Sequence, residues 1–314
     1  MKKCFTGIVL IALLCCYAVG CGSESATPSE GGSGVSPSPE AADSAILLKE
    51  SSIEADRDRV TVEGTAATVT SAGTYEITGK LENGQIIVDT EGMVTLIFNN
   101  IDIYCETSAP VYVKKAKHIT IILAEHSENQ LTDGSAYTFA DVTAEPDAVL
   151  FSKADMTIGG SGSLTVSANY NDGIASKDTL QIDNGKISVT ARNHGIKGKD
   201  FLLIGGGEIT VNAGGDGIKS TNDKDASLGY VKVSGGTLLI TAQDEGISAV
   251  TDVKVTGGSI CIETANNGIK TNGTIDVSAG SVAIQTEDKG LLCAEQKIDT
   301  AAAVTVNGEA VSGN

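Results

Sequence analysis

From Ile53 onward, apolar and polar residues alternate in short runs. Ile187-Ser188-Val189-Thr190-Ala191 is representative, with aliphatic residues at every second position. A period of two belongs to strands, because successive side chains point to opposite faces. No segment sustains a helical period between caps, so the pattern predicts an all-β chain. The runs are too short to form a stable hairpin sheet by themselves.

The runs recur in register. A glycine followed by an aliphatic residue appears at Gly173-Ile174, Gly195-Ile196, Gly217-Ile218, Gly246-Ile247, Gly268-Ile269 and Gly290-Leu291, at spacings of 22, 22, 29, 22 and 22 residues. Each unit repeats one plan: a short strand, a Gly-rich turn such as Asn184-Gly185 or Gly235-Gly236, and a second alternating strand. A fixed period of this length marks a solenoid. Coil stacked on coil at about 4.8 Å would align like residues in columns. A propeller blade needs roughly 40 residues, and the six-residue period of a left-handed hexapeptide helix is absent. The predicted fold is a right-handed parallel β-helix of about 22 residues per coil. The repeated glycines are expected at left-handed or otherwise strained corners. Longer, less regular coils between Ile53 and Asp133 are expected to close one end of the core.

The alternation stops before residue 46. Lys2 and Lys3 precede an apolar stretch from Phe5 to Val19, then Ala18-Val19-Gly20-Cys21. This reads as a lipoprotein signal peptide over 1–20, with Cys21 as the lipidated residue and two acyl chains for anchoring. A polar Gly/Ser/Pro run follows directly, so a spanning helix fits less well. Residues 21–45 read as a flexible linker and 46–314 as the β-helix. The expected location is the extracellular face of a bacterial membrane, held through the lipid alone.

Charge narrows the partners. The chain carries 22 basic and 40 acidic residues, a net charge of −18. That balance excludes nucleic acid, whose phosphates demand lysine and arginine. An acidic polymer would be repelled unless a cation intervened. Cys105, Cys261 and Cys293 are an odd, dispersed set, neither a disulfide framework nor a zinc motif. His118, His126 and His194 are dispersed as well. No Ser-His-Asp set or phosphate loop occurs.

Several motifs together resemble one family: Asp172-Gly173-Ile174, the run Asp216 to Asp223, Leu228-Gly229-Tyr230-Val231, Gly73-Thr74-Tyr75 through Val88, and Leu131-Thr132-Asp133-Gly134. The chain is similar, from about Ile53 to its end, to bacterial carbohydrate-binding domain-containing proteins, a group formerly described as a domain of unknown function. The resemblance implies a cell-surface parallel β-helix, related in architecture to pectate lyases, that binds plant-type polysaccharide (cellulose or acidic pectic chains) with calcium in the helix. His194 and Lys289 depart from the aspartate motif, so calcium is expected in the middle coils.

The residues before the repeated glycines form a column: Asp172, His194, Asp216, Glu245, Asn267, Lys289. Asp216, Asp244 and Glu245, with Asn222, Asp223 and Asp225 from the seven-residue insertion, are six oxygen-bearing side chains expected at one corner. Calcium takes six to eight oxygens in flexible geometry and would cancel their repulsion. The alternative is that Asp-Gly and Asn-Gly only make turns. Two residues after the glycines stand Lys197, Lys219 and Lys270, candidates for polysaccharide contact. A lysine base with a calcium-neutralised uronate would make the chain a lyase; simple charge balance against Asp216 or Glu245 is the other reading. Thr165, Ser167, Ser188, Thr190 and Thr210 form a hydroxyl column suited to an extended sugar chain. With no Trp and scattered Tyr and Phe, an aromatic stacking platform is not expected. The sequence therefore predicts a non-catalytic, calcium-assisted polysaccharide binder, with a lyase and a purely structural surface protein as the rivals.

Overall fold

Each repeat closes one rung of three short strands. In a computed structural model, which describes residues 42–139 and 145–312, Asp172–Ser176, Thr179–Ile182 and Lys186–Ala191 make such a rung. They lie on what we call faces one, two and three. The next rung repeats the plan with Ile196–Gly198, Phe201–Ile204 and Glu208–Ala213. Equivalent strands pair in parallel and in register, so Ile174, Ile196, Ile218, Ile247, Ile269 and Leu291 form one column. Face one is an eleven-stranded sheet, and faces two and three form a continuous sheet of 21 strands. Among the described residues there is no helix. The fold is the predicted parallel β-solenoid.

The alternation explains the stacking. Val189, Val211, Ile240 and Ile262 all point inward on face three and are at most 1% exposed. Burying one such side chain is worth roughly 1.5–3 kcal/mol, as an upper bound. No single rung encloses a core, so each depends on its neighbours.

The two glycine columns have different causes. Gly207, Gly236, Gly258 and Gly280, between faces two and three, have φ of 84–90°. That is the left-handed region, where a side chain is strained. The glycines before Ile174, Ile196 and their equivalents do not share it. A Cβ on Gly195 would lie 2.2 Å from Val211 Cγ1 and 2.6 Å from Gly217 O. The expectation of left-handed corners thus holds for one column only; in the other, close approach of the core excludes a side chain.

Both ends differ from the regular rungs. Ser44–Glu50 pairs in parallel with Gly73–Leu81 and antiparallel with Ser52–Ala55. A second antiparallel pair, Val60–Glu63 with Ala66–Val69, completes that end of face one. At the other end, Ala302–Val306 turns back on Glu309–Ala310. The first strand begins two residues before the expected boundary at 46. Residues 1–20 and Cys21 lie outside the described residues.

Candidate functional site

Face one carries the charge. Its outward row runs from Tyr112 and Phe151 through Ala175 to Lys197, Lys219, Ser248 and Lys270 on successive rungs. The register that stacks the isoleucines places Lys197 directly beside Lys219. The corner column of acids stands next to this row, and the lysines reach across to it.

Three buried acids anchor the three lysines. Asp172, wholly buried, forms an ion pair with Lys197 and accepts from Asn193 Nδ2 at 2.9 Å. Asp147 lies 3.4 Å from the same ammonium. Burial works to lower the Lys197 pKa, but Asp172 and Asp147 outweigh it and hold it above the ordinary lysine value. Asp216 Oδ2 stands 2.6 Å from Lys219 Nζ, and Glu245 Oε1 2.6 Å from Lys270 Nζ. The hydrogen bond that Lys270 donates to Glu245 raises the Lys270 pKa. Between these pairs sits His194, whose Nδ1 accepts from the Asp216 amide at 3.1 Å. Burial lowers its pKa, with Asp172 opposing, so the ring is neutral near pH 7.

Asp216, Asp244 and Glu245 each present an oxygen within 4.8 Å of the others. Like charges at about 4 Å repel by about 1 kcal/mol in water and about 4 kcal/mol near a protein surface. Lys219 and Lys270 offset part of this. Two buried oxygens still lack a hydrogen bond: Asp216 Oδ2, whose contact with Lys219 is an ion pair outside hydrogen-bond geometry, and Asn267 Oδ1. Asn267 is itself 4% exposed and one rung from Glu245. Buried oxygens are normally paired. A hard cation coordinated by oxygens fits this set, with water or ligand completing the six to eight positions.

The other three expected metal ligands lie elsewhere. Asn222, Asp223 and Asp225 follow the face-one strand Ile218–Ser220, whereas Asp216 precedes it. Asn222 Nδ2 donates to Asp200 Oδ1 at 2.6 Å, and Asn222 Oδ1 accepts the amides of Lys224 and Asp225. Asp225 Oδ1 accepts from the Ser227 amide and hydroxyl; these bonds lower its pKa. Asp223 is exposed beside Lys224. The insertion is a self-bonded turn at the opposite corner of face one, so of the six expected ligands only Asp216, Asp244 and Glu245 come together.

The aromatic residues are less scattered in space than along the sequence. Ten Tyr and Phe residues lie from residue 42 onward, and five of them gather by the face-one strands Val111–Lys115 and Ala148–Ser152, on the side of the lysine row nearer the N-terminus. Tyr112 and Phe151 meet at 5.8 Å between centroids, Tyr137 and Tyr170 stack at 4.3 Å, and Phe139 is 6.1 Å from Tyr170. The register already contained this: Thr132 pairs with Ser167, which brings the segments carrying Tyr137 and Tyr170 side by side. The less regular rung lengths here hide it from a search at period 22. A separate pair, Phe201 and Tyr230, stacks at 4.9 Å on face two.

Known proteins place this geometry in context. The family model described as "Carbohydrate-binding domain-containing protein" matches residues 63–308. A protein of that description from Acetivibrio thermocellus is 37% identical over 150 residues, 46% of this chain and 52% of its own length. The chain thus spans about half the length of this curated relative. A solved structure described as a polysaccharide lyase-like protein from C. thermocellum, in a gadolinium derivative, matches with a TM-score of 0.74 and 34% identity, over 80% of this chain and 98% of that one.

Proposed function

The chain belongs to the carbohydrate-binding domain-containing protein family, and on that premise we propose that face one binds an extended polysaccharide without cleaving it, assisted by calcium. One observation carries the reading: lysines on three of four stacked rungs, with Ser248 between Lys219 and Lys270, each lysine tied to a buried carboxylate at the adjoining corner. An extended polymer laid across the rungs would meet them in turn. Lys197, Lys219 and Lys270 would contact sugar carboxylates and hydroxyls. Asp216, Asp244 and Glu245 would hold the calcium. Bound there, calcium would supply the positive charge that an acidic sugar polymer needs on a protein of net charge −18. Lys219 and Lys270 would turn from the carboxylates toward the ligand as the cation took their place.

The lyase reading has less support. A lysine acting as a general base needs its pKa lowered toward the working pH. Lys197 and Lys270 are instead held above the ordinary value by their carboxylates, which leaves Lys219 as the lysine that could serve as a base. The name of the solved relative keeps lyase chemistry as a distinct second reading. Ultraviolet absorbance with pectate and calcium separates the two: binding without a rise in absorbance is expected, and a rise abolished by Lys219→Ala would make the chain a lyase.

We place the protein at the outer face of the membrane through a lipid on Cys21. This rests on the sequence of residues 1–21, and Cys21→Ser should release the protein from the membrane fraction. The binding reading itself is tested by co-sedimentation with insoluble cellulose and with pectate gel, each in calcium and in chelator. Retention on pectate that falls in chelator is expected. Retention on neither polymer would refute the function, and retention indifferent to chelator would remove calcium from it.

A further inference from the structure

Face one has a second chemistry beside the aromatic rungs that precede the lysine row. Phe151 is wholly buried, but Tyr137, Phe139 and Tyr170 remain partly exposed beside it. They do not sit loosely. Asp133, wholly buried, accepts the Tyr137 hydroxyl on Oδ2 at 2.8 Å and the Asn169 amide on Oδ1 at 2.5 Å. Asn169 returns a side-chain bond to the Asp133 carbonyl at 2.8 Å. One carboxylate therefore fixes Tyr137 directly and Tyr170 through its chain neighbour. Burial raises the Asp133 pKa against these hydrogen bonds. Placing an ionisable group there costs stability that an apolar residue would not.

Rigid tyrosines give large contact area with little entropy to lose on binding. The C–H face of a pyranose with equatorial hydroxyls is the ligand surface that matches such rings. The polar groups beside the rings suit the sugar's rim. Asp147 Oδ1 is buried without a hydrogen bond, and the charge of Asp147 is felt at Tyr137. Lys197, bound to Asp147 and Asp172, begins the charged row.

We propose that Phe139 and Tyr170, backed by Tyr137 stacked between Tyr170 and the buried Phe151 cluster, form a pre-organised stacking site for an uncharged β-linked pyranose, continuous with the lysine row. The inference rests on face one being the polysaccharide surface and narrows it. The site takes a ring by its C–H face, independently of calcium, while the charged row takes carboxylates. Asp133 is a positioning residue. The Phe201–Tyr230 pair on face two is a simple two-ring ladder without a comparable buried anchor.

The test is calorimetric titration of the full chain with a soluble β-1,4-linked glucose oligomer and, separately, with an oligogalacturonate, each in calcium and in chelator. The glucose oligomer should bind equally with and without chelator. Phe139→Ala and Tyr170→Ala should each weaken it about three- to tenfold, while Tyr170→Phe keeps the affinity. Lys219→Ala should weaken only the oligogalacturonate. Variants with unchanged melting temperature that bind the glucose oligomer as the parent does would overturn the stacking site. So would a parent chain that binds oligogalacturonate alone, which leaves the polysaccharide reading intact. A parent that binds neither sugar would overturn that reading and this inference together.

Discussion

Two corners of this solenoid solve one problem in different ways. Between faces two and three, Gly207, Gly236, Gly258 and Gly280 turn the chain in the left-handed region with backbone atoms nearest them, and the charged Lys186 and Glu208 beside Gly207 are exposed. Between faces three and one, the chain also turns beside a glycine, but the residue before it is Asp172, His194, Asp216, Glu245 or Asn267. The period and the neighbours above and below are the same, yet only the second corner buries charge. Buried ion pairs often stabilise no more than apolar residues of similar size. The glycine corner shows that the fold closes its rungs without them. The charged corner also satisfies peptide groups, Asp172 and Asp216 accepting the amides of His194 and Glu245, and it is the corner where the proposed cation would sit.

The comparison predicts a gradient of effects. The largest should come from the glycines themselves. In Gly246→Val, even the first added carbon would meet Ile262 Cγ2 at 2.3 Å and Gly268 O at 2.7 Å, inside a closed core. A loss above about 4 kcal/mol in denaturant unfolding is expected. Gly258→Ala, a φ-strain problem with contacts near 2.9 Å, should cost less; equal losses would mean the two corners are constrained alike. Next comes Asp216→Ala, which strands Lys219 and the Glu245 amide bonded to Asp216 Oδ1. About 3–5 kcal/mol is expected in chelator. Asp216→Asn keeps most of that stability while abolishing any calcium-dependent rise in melting temperature.

A pH experiment follows with a defined sign. The folded-state pKa of Lys197 is raised, so its pairing stabilises the fold fully below the ordinary lysine value, about 10.4. That contribution should disappear as pH rises through the higher folded value. Lys197→Met should flatten this alkaline limb of a melting-temperature profile; an unchanged limb would remove Lys197 from the account. The smallest effect belongs to the glycine corner. Thr237→Ala, at an exposed site, should stay within about 0.5 kcal/mol and leave sugar binding unchanged.

The fold was legible because its signal is periodic. Inward aliphatics and corner glycines recur every 22 residues, and the rungs pair in that register. The charged pairs were partly legible: Asp216 and Lys219 are three apart, and the column placed Glu245 one rung on. The insertion was not, because a three-residue strand separates Asp216 from the turn beginning at Asn222. Sequence nearness there hides two opposite corners of one face. The aromatic group was hidden for the converse reason. Tyr137 and Tyr170 are 33 positions apart, in the region where the rungs lose their common length, and a buried aspartate unites them.

The central claim is that the charged corner, and not the insertion, is the cation site of a polysaccharide-binding face. A crystal grown with calcium and an oligogalacturonate tests it through anomalous density. The account predicts a peak about 2.3–2.6 Å from oxygens of Asp216, Asp244 and Glu245, with the sugar along Lys197 and Lys219. A peak beside Asn222 and Asp225 instead, or sugar bound on another face, would contradict it.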